Sequence, residues 1–318
     1  MTMAPLDPDK LRLLLEVAQW GSLSRAALAG HTSQPHVSKV IAQLEHDWGA
    51  RLFRRTGRGM VLTDFGQTVV PRIRAWLDGT QRLADDFRTL AGTTAGQVRL
   101  ASLPSFSSPA MALLFSRVRE RHPAIRLSFL EGHIDQIEAW LHGGQADLGV
   151  TLRYGDTPRK DDEPLADFPL LLCGAPGDPR LAAGSLPFAA LDGLPLVVYT
   201  RPGLMHRHLV GLFAERGMTL NTVLEANSVN VLRDVAATGT AYALLSPLAV
   251  ESERRTGRLS TTRIVSPEVV LHLDLAISRS GPITGATRCV MALLRETVQT
   301  VYADSHHHAP AADMSGRG

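Results

Sequence analysis

The stretch LSRAALAGHTSQPHVSKVIA, residues 23–42, decides how the chain is read. It predicts two short helices joined by a tight turn. Ala26, Ala27 and Leu28 lie in the first, and Gly30 ends it. Ser33 or Gln34 caps the second, and Pro35 suits a first helical turn, where its missing N–H has no helical partner to lose. Val37, Ile41 and Leu44 recur at i, i+4, i+7 with Val40 beside them, so one face is apolar and turns toward a core. The other face carries Gln34, Ser38, Lys39 and Gln43, groups that hydrogen-bond base edges and phosphates.

An ordinary amphipathic helix with a solvated polar face accounts for this much equally well, since helical hairpins are common. The next stretch, RLFRRTGRGMVLT at residues 51–63, shifts the balance. It predicts a β-hairpin in which Gly57 and Gly59 supply the turn and Met60, Val61 and Leu62 return as a strand. The hairpin carries Arg51, Arg54, Arg55 and Arg58. A helix-turn-helix followed by a basic hairpin is the arrangement of a winged DNA reader. One helix enters the major groove while the wing touches backbone or minor groove.

Residues 6–65 resemble the N-terminal domain of LysR-type transcriptional regulators. The resemblance is carried by GSLSRAA (21–27), SQPHVSKVIAQLE (33–45) and GARLFRRTGRGMVLTDFG (49–66). It implies a sequence-specific regulator of transcription, with double-stranded DNA as partner. Gln34 and Ser38 are expected at base edges. Ser33, Lys39, Arg55 and Arg58 are expected at phosphate or minor groove, with Pro35 and Arg54 in the same DNA-facing set. The chain departs from its relatives at Gly30, where a Leu is usual, and at Thr32, where Val or Ile is usual. Both departures imply looser packing at the turn. Lys39 stands where Arg is commoner; it keeps the charge and loses bidentate geometry, which makes it a phosphate contact rather than a guanine reader.

Charge supports this reading modestly. The 318-residue chain has a net charge of +2, but residues 1–92 hold 12 Lys/Arg against 9 Asp/Glu, leaving 21 against 22 beyond them. Within residues 22–62 the balance is 6 to 2, a basic footprint on the helix and hairpin.

Residues 10–20 predict a first helix with Leu11, Leu14, Leu15 and Ala18 as its buried stripe, backing the helix-turn-helix. Beyond the hairpin, Val69, Ile73, Trp76, Thr80, Leu83, Phe87 and Leu90 alternate at spacings of 4 and 3. This is a heptad stripe over about three heptads, the pattern of a helix lying along a partner helix. It predicts dimerisation through Val69, Ile73, Trp76, Leu83, Phe87 and Leu90, giving a homodimer or homotetramer. The alternative is a single helix lying on its own domain. Pro71 predicts a kink, or a helix that settles only after it. In the resembled family this segment, residues 66–91, is the long linker helix through which two DNA-binding domains pair.

GTTAGQ, residues 92–97, is a linker by composition. Strand patterns then follow at 98–101, 125–130 and 148–151, with helices at 109–121 and 134–142. A loop rich in charge and proline spans 154–169. Further strands fall at 170–173, 196–199, 223–226 and 241–245, and helices at 205–216 and 229–237. A late strand at 271–278 and a late helix at 284–301 close the pattern. Such alternation predicts parallel sheets covered by helices. DLGVT (147–151) and EANSVNVLRDVAATGTAYALLSP (225–247) resemble the periplasmic-binding-protein-like effector domain of the same family. The expected class is therefore α/β with an all-α-rich N-terminal winged helix-turn-helix, a long linker helix and two Rossmann-like α/β effector subdomains. The effector-binding domain spans 95–302, with subdomain one at 95–165 plus 270–302 and subdomain two at 166–269. Residues 303–318 are expected to form a disordered tail.

Ligands of parallel α/β sheets sit at the carboxyl ends of strands, where strand order changes. That rule selects SLPSFSSP, residues 102–109, with Ser102, Ser105, Ser107 and Ser108 at a helix entrance, and also Thr151, Thr200, Arg201, Asn227 and Ser228. Hydroxyls, free helix N–H groups and a guanidinium suit a small anion, so the expected partner is a small-molecule, anionic effector held between the subdomains. The family resemblance implies that the positions of Ser105 and Thr200 line the cavity. Leu103 and Phe106 stand where some relatives have polar groups, which implies a more apolar ligand, or none.

Other functions find little support. There is no G-x-S-x-G, P-loop, H-E-x-x-H or Cys-x-x-Cys motif, so the chain does not read as an enzyme, and no cofactor is expected. Cys173 and Cys289 are far apart in sequence and read as reduced structural thiols. The histidines show no metal-ligand spacing, and His306, His307 and His308 read as a solvated tail. No apolar run reaches the ~18 residues of a membrane span, and MTMAPLDPDK lacks an export signal, which points to the cytoplasm. A small-molecule-binding protein with an incidental N-terminal domain is the alternative; the basic wing argues against it.

Overall fold

In the computed structural model, residues 6–57, 59–90, 94–155, 162–201 and 203–307 are described. The N-terminal unit opens with α1 (Pro8–Trp20), capped by the Asp7 carboxylate and closed by Gly21 in the left-handed region at φ 59°. Next come α2 (Leu23–Ala29), whose N-cap is Ser22, and α3 (Gln34–Trp48), whose N-cap Ser33 accepts from the His36 N–H. The hairpin β1 (Phe53–Thr56) and β2 (Gly59–Leu62) pairs antiparallel from Phe53↔Leu62 to Thr56↔Gly59. Leu11, Leu14, Val17, Val37, Ile41, Leu44 and Leu52 are buried together at the centre of the unit. Val17 joins Leu11 and Leu14 as fully buried at i, i+3, i+6, while Leu15 and Ala18 pack half-buried against the same core.

Close approaches explain the glycines. A Cβ on Gly30 would lie 2.8 Å from Leu13 Cδ2, so the turn at Gly30 is tightly packed where looser packing was expected. A Cβ on Gly59 would lie 2.4 Å from the Gly21 oxygen, which itself accepts from the Met60 N–H at 2.7 Å. The wing is thereby fixed to the end of α1.

α4 (Asp64–Leu90) runs unbroken through Pro71 for 27 residues, about 40 Å. It does not wait for Pro71, and one face of its first half is taken up by its own unit. Val70, Ile73 and Leu77 are buried in the core of its own unit, and Val69 packs against that core.

The second unit alternates strands and helices: β3 (Gly96–Ser102), α5 (Pro104–Arg121), β4 (Ile125–Glu131), α6 (Ile134–His142), β5 (Leu148–Tyr154), β6 (Glu163–Pro169), β7 (Leu171–Gly174), α7 (Pro179–Ala182) and β8 (Ser185–Pro187). It continues through a 3₁₀ turn (Phe188–Leu191), β9 (Leu196–Tyr199), α8 (Leu204–Ala214), β10 (Thr222–Ala226), α9 (Val229–Ala237), β11 (Tyr242–Leu245), α10 (Pro247–Arg255), β12 (Ser260–Val265), β13 (Val270–Ile277) and α11 (Gly285–His307). Five strands form one sheet in the order β4-β3-β5-β13-β6, and six form another in the order β10-β9-β11-β7-β12-β8.

The sheets are mixed, against the parallel expectation. β13 runs antiparallel to β5 and β6, and β7 antiparallel to β11 and β12. The antiparallel strands are those where the chain crosses between sheets. The two crossings meet where the Leu170 N–H donates to the Val269 oxygen at 2.8 Å. Residues 163–169, expected to be loop, form edge strand β6, so the first sheet reaches past residue 165. α5 begins five residues before the expected start, and α11 continues to His307, into the stretch expected to be disordered; residues 308–318 lie outside the described ones. In DLGVT, Asp147 accepts from the Arg99 backbone N–H at 2.8 Å and from its guanidinium at 2.9 Å, tying β3 to β5.

Candidate nucleic-acid interface and ligand cavity

α3 is held at both ends. Ser33 caps its start, where Gln34 Oε1 accepts from Ser24 Oγ at 3.4 Å. Near its end lies Glu45, 9% exposed despite its charge. Its Oε1 accepts from the backbone N–H groups of Leu52 at 2.8 Å and Phe53 at 3.2 Å, and its Oε2 from the Arg51 guanidinium at 2.8 Å. Glu45 thus fastens the recognition helix to the root of the wing. The sequence reading missed it, because a Glu on a helix is ordinarily solvated.

The exposed stripe of α3 is Pro35, Lys39, Ala42 and His46, at i, i+4, i+7 and i+11. Gln34 is exposed at the helix start, and Ser38 is half-buried at the margin of the stripe. Gln43 is exposed, but its amide donates to Asp47 at 2.7 Å. Ala42 and His46 were not singled out from sequence; the period from Pro35 points to both. On the wing, Arg54 and Arg55 are exposed neighbours on β1, so they project from opposite faces of the ribbon. Arg51 is engaged by Glu45. Arg58 lies outside the described residues.

Of the heptad stripe, Trp76, Leu83 and Phe87 are exposed, Phe87 by 61%. Val69 and Ile73 serve their own core, because α4 starts directly behind the wing and its first turns must close that core. The Leu90 side chain lies outside the described ones.

In the second unit a cavity of about 260 Å³ opens where strands of both sheets end. Ser105, Thr200, Arg201 and Asn227 line it, as expected. Ser102, Thr151 and Ser228 are not among its lining residues. Ser102 is fully buried, its hydroxyl donating to the Leu103 oxygen at 3.3 Å, because α5 starts two residues on and turns it into the core. Thr151 is buried because β5 runs on to Tyr154, so Leu152 and Tyr154 reach the cavity instead. Ser228 is the N-cap of α9 and sits between lining residues Asn227 and Val229. The side chains of Ser107 and Ser108 lie outside the described ones.

The walls are mainly aliphatic, with Leu152, Leu170, Leu204, Met205, Leu244 and Leu271 among them. Polar groups missed from sequence are Tyr154, Tyr199, His133 and Asp135. The two tyrosines end β5 and β9, so following the strand-end rule to the last strand residue finds them. Burial pushes the Tyr199 hydroxyl up to about 12 against the opposing charge of Arg233. Tyr154 is raised further, by burial and then by Tyr199. Both phenols are therefore neutral donors at neutral pH. Arg201 Nη2 lies 2.9 Å from Glu225 Oε1. The hydrogen bond from this guanidinium, with the bond from the Arg201 backbone, holds the Glu225 carboxyl below the usual carboxylate range. His208 stacks at 5.7 Å beside Tyr154, and burial lowers its imidazole below the usual range.

Among the described residues no group of three or more His, Cys, Asp or Glu is placed to hold a metal, and no helix is long and apolar enough to cross a membrane.

Residues 8–67 match the family described as "Bacterial regulatory helix-turn-helix protein, lysR family", and residues 91–299 match "LysR substrate binding domain". The regulator BbuR of Bordetella bronchiseptica is 28% identical, over 87% of this chain and 85% of its own length. The dual regulator OxyR of Escherichia coli is 25% identical, over 86% and 90%. Among solved structures, full-length CbnR in complex with its target DNA superposes with a TM-score of 0.69 at 20% identity, covering 93% of this chain and 99% of that one.

Proposed function

The chain belongs to the LysR family of bacterial transcriptional regulators, and from that membership we propose a division of labour among its parts. α3 reads the major groove: Gln34 and Ser38 meet base edges, with Pro35 against them. Ser33, Lys39, Arg54, Arg55 and Arg58 hold phosphate or minor groove. Ala42 and His46 join this face. The second unit binds a small-molecule effector in the cavity between its sheets. Two copies pair along Trp76, Leu83 and Phe87 of α4, so that two recognition helices meet two half-sites. The protein works in the cytoplasm as a homodimer or homotetramer and catalyses no reaction.

One observation carries the DNA reading. The exposed stripe of α3 and the arginines of β1 belong to one body, because Glu45 ties the root of the wing to α3 and the Gly21–Met60 bond ties it to the end of α1. The target-DNA complex of CbnR, whose fold this chain shares, supports the partner.

The test is fluorescence anisotropy on DNA from the protein's own upstream region, against scrambled DNA, over a salt series. A preference of ~10³ or more with a steep salt slope is expected. Gln34→Ala is expected to cost ~1–3 kcal/mol on the specific site only. Arg55→Ala is expected to weaken both DNAs alike and reduce the salt slope by about one. Equal loss on both DNAs for Gln34→Ala removes it as a base reader; absence of binding at low salt sinks the regulator assignment of this surface.

A further inference from the structure

We propose that the cavity between the two sheets takes an uncharged, mostly apolar molecule bearing acceptor oxygens, such as a ketone, ester or amide, rather than an organic anion. This rests on the reading of the cavity as the effector site, and it replaces the anionic ligand expected from sequence. That expectation needed Arg201 to be available and the serines of residues 102–109 to form a loop. The structure engages Arg201 and makes most of that loop the first turns of α5.

The charges on the walls do not favour an anion. The one guanidinium among the described lining residues, Arg201, is compensated by Glu225 at 2.9 Å. Asp135 adds an exposed carboxylate to the lining, beside the exposed imidazole of His133. Moving a ligand carboxylate from water to these aliphatic walls would demand a fresh cation to offset its desolvation. A ligand carboxylate sharing Arg201 with Glu225 would set two negative charges against one guanidinium.

The walls are instead rich in neutral donors. Tyr154 and Tyr199 each present a phenol that stays protonated at neutral pH. Asn227, Thr200 and Ser105 add an amide and two hydroxyls. A carbonyl oxygen satisfies such donors without bringing a charge, and an apolar body fills the rest. The volume of about 260 Å³ limits the occupant to a small molecule.

The test uses two fluorescent probes that differ by one sulfonate, neutral N-phenyl-1-naphthylamine and anionic 1-anilino-8-naphthalenesulfonate, titrated into the full chain. Ile134→Trp and Leu204→Trp fill the cavity from half-buried wall positions, with circular dichroism to confirm folding. We expect the neutral probe to bind at one site at least tenfold tighter than the sulfonate. It should be lost in both filled variants and displaced by acetophenone but not by benzoate. Glu225→Gln, which frees Arg201, should strengthen sulfonate binding several-fold and leave the neutral probe unchanged. If the sulfonate or benzoate binds tighter than its neutral counterpart and is lost in the filled variants, the proposal is overturned while the effector reading stands. An unchanged sulfonate affinity in Glu225→Gln also overturns it, by removing the compensation argument. If neither probe binds, or filling the cavity changes neither, the cavity receives no ligand and both readings fall.

Discussion

Glu45→Ala isolates the contact on which the geometry of the DNA-binding unit depends. Both backbone bonds, from Leu52 and Phe53, end on the same oxygen, Oε1, while Arg51 takes Oε2. Leu52 and Phe53 are buried, so truncation leaves two amide groups without an acceptor and with little access to water. At ~1.5 kcal/mol each, the loss is ~3 kcal/mol, or about two decades in local opening. Glu45→Gln keeps a carbonyl oxygen at the Oε1 position and gives up only the Arg51 pair. The Arg51 side chain is 82% exposed, so that pair contributes ~0–1 kcal/mol. Hydrogen exchange measured by mass spectrometry over the peptide containing Leu52 and Phe53 reports this directly. Glu45→Ala should accelerate exchange there about a hundredfold, Glu45→Gln less than tenfold, and Arg51→Ala scarcely at all. Operator affinity should fall in the same order. If Ala and Gln accelerate exchange equally, the ion pair and not the backbone bonds secures the wing, and the reasoning fails.

Four further outcomes are expected. Phe87→Asp should weaken self-association in sedimentation velocity by ~10² or more, since two copies each lose ~1.5–3 kcal/mol of apolar burial. Ile73→Ala should instead cost ~2–5 kcal/mol of domain stability, and the reverse assignment would move the interface up the helix. His208 has a lowered pKa in the folded state, so unfolding takes up a proton below the ordinary imidazole range. Stability should therefore fall as pH drops from about 6.5 toward the folded value, at no more than ~1.4 kcal/mol per pH unit, and His208→Gln should flatten that part of the urea-denaturation profile. Cys173 is fully buried and its thiol is pushed up to about 12, so a thiol reagent should label it only on unfolding; labelling of Cys173 in the folded protein, read by peptide mass spectrometry, would contradict this.

Much of the N-terminal unit was legible because its signals are local. Ser33 as a cap, Pro35 in the first turn and the Val37–Ile41–Leu44 spacing each specify a piece of α3 with neighbours a turn away. α4 shows where such reasoning stops. Val69, Ile73 and Trp76 form one stripe, and Val70, Ile73 and Leu77 form another beside it. Periodicity alone cannot say which faces the chain's own core; the hairpin's position decides. Residues 163–169 read as loop because Pro164 and Pro169 interrupt them. Both are tolerated there because the strand lies at the edge of its sheet, one side without a neighbour.

The same limit explains why the cavity was half found. The strand-end rule identified the right loops but depends on where strands end, and β5 continues three residues past Thr151. Residue chemistry was read one side chain at a time, so Arg201 appeared as an available cation. Its state is set by Glu225, a residue 24 positions away that reaches it only because β10 lies parallel to β9. Strand pairing therefore sets the charge beside the cavity, on which the proposed ligand class depends. The donors follow the same logic: Tyr154 and Tyr199 come from the first and second sheets, yet burial at their shared cavity keeps both protonated. On the proposed reading, a regulator of this fold would exchange one ligand class for another by changing a single partner of an arginine, while the helices and strands that build the cavity stay as they are.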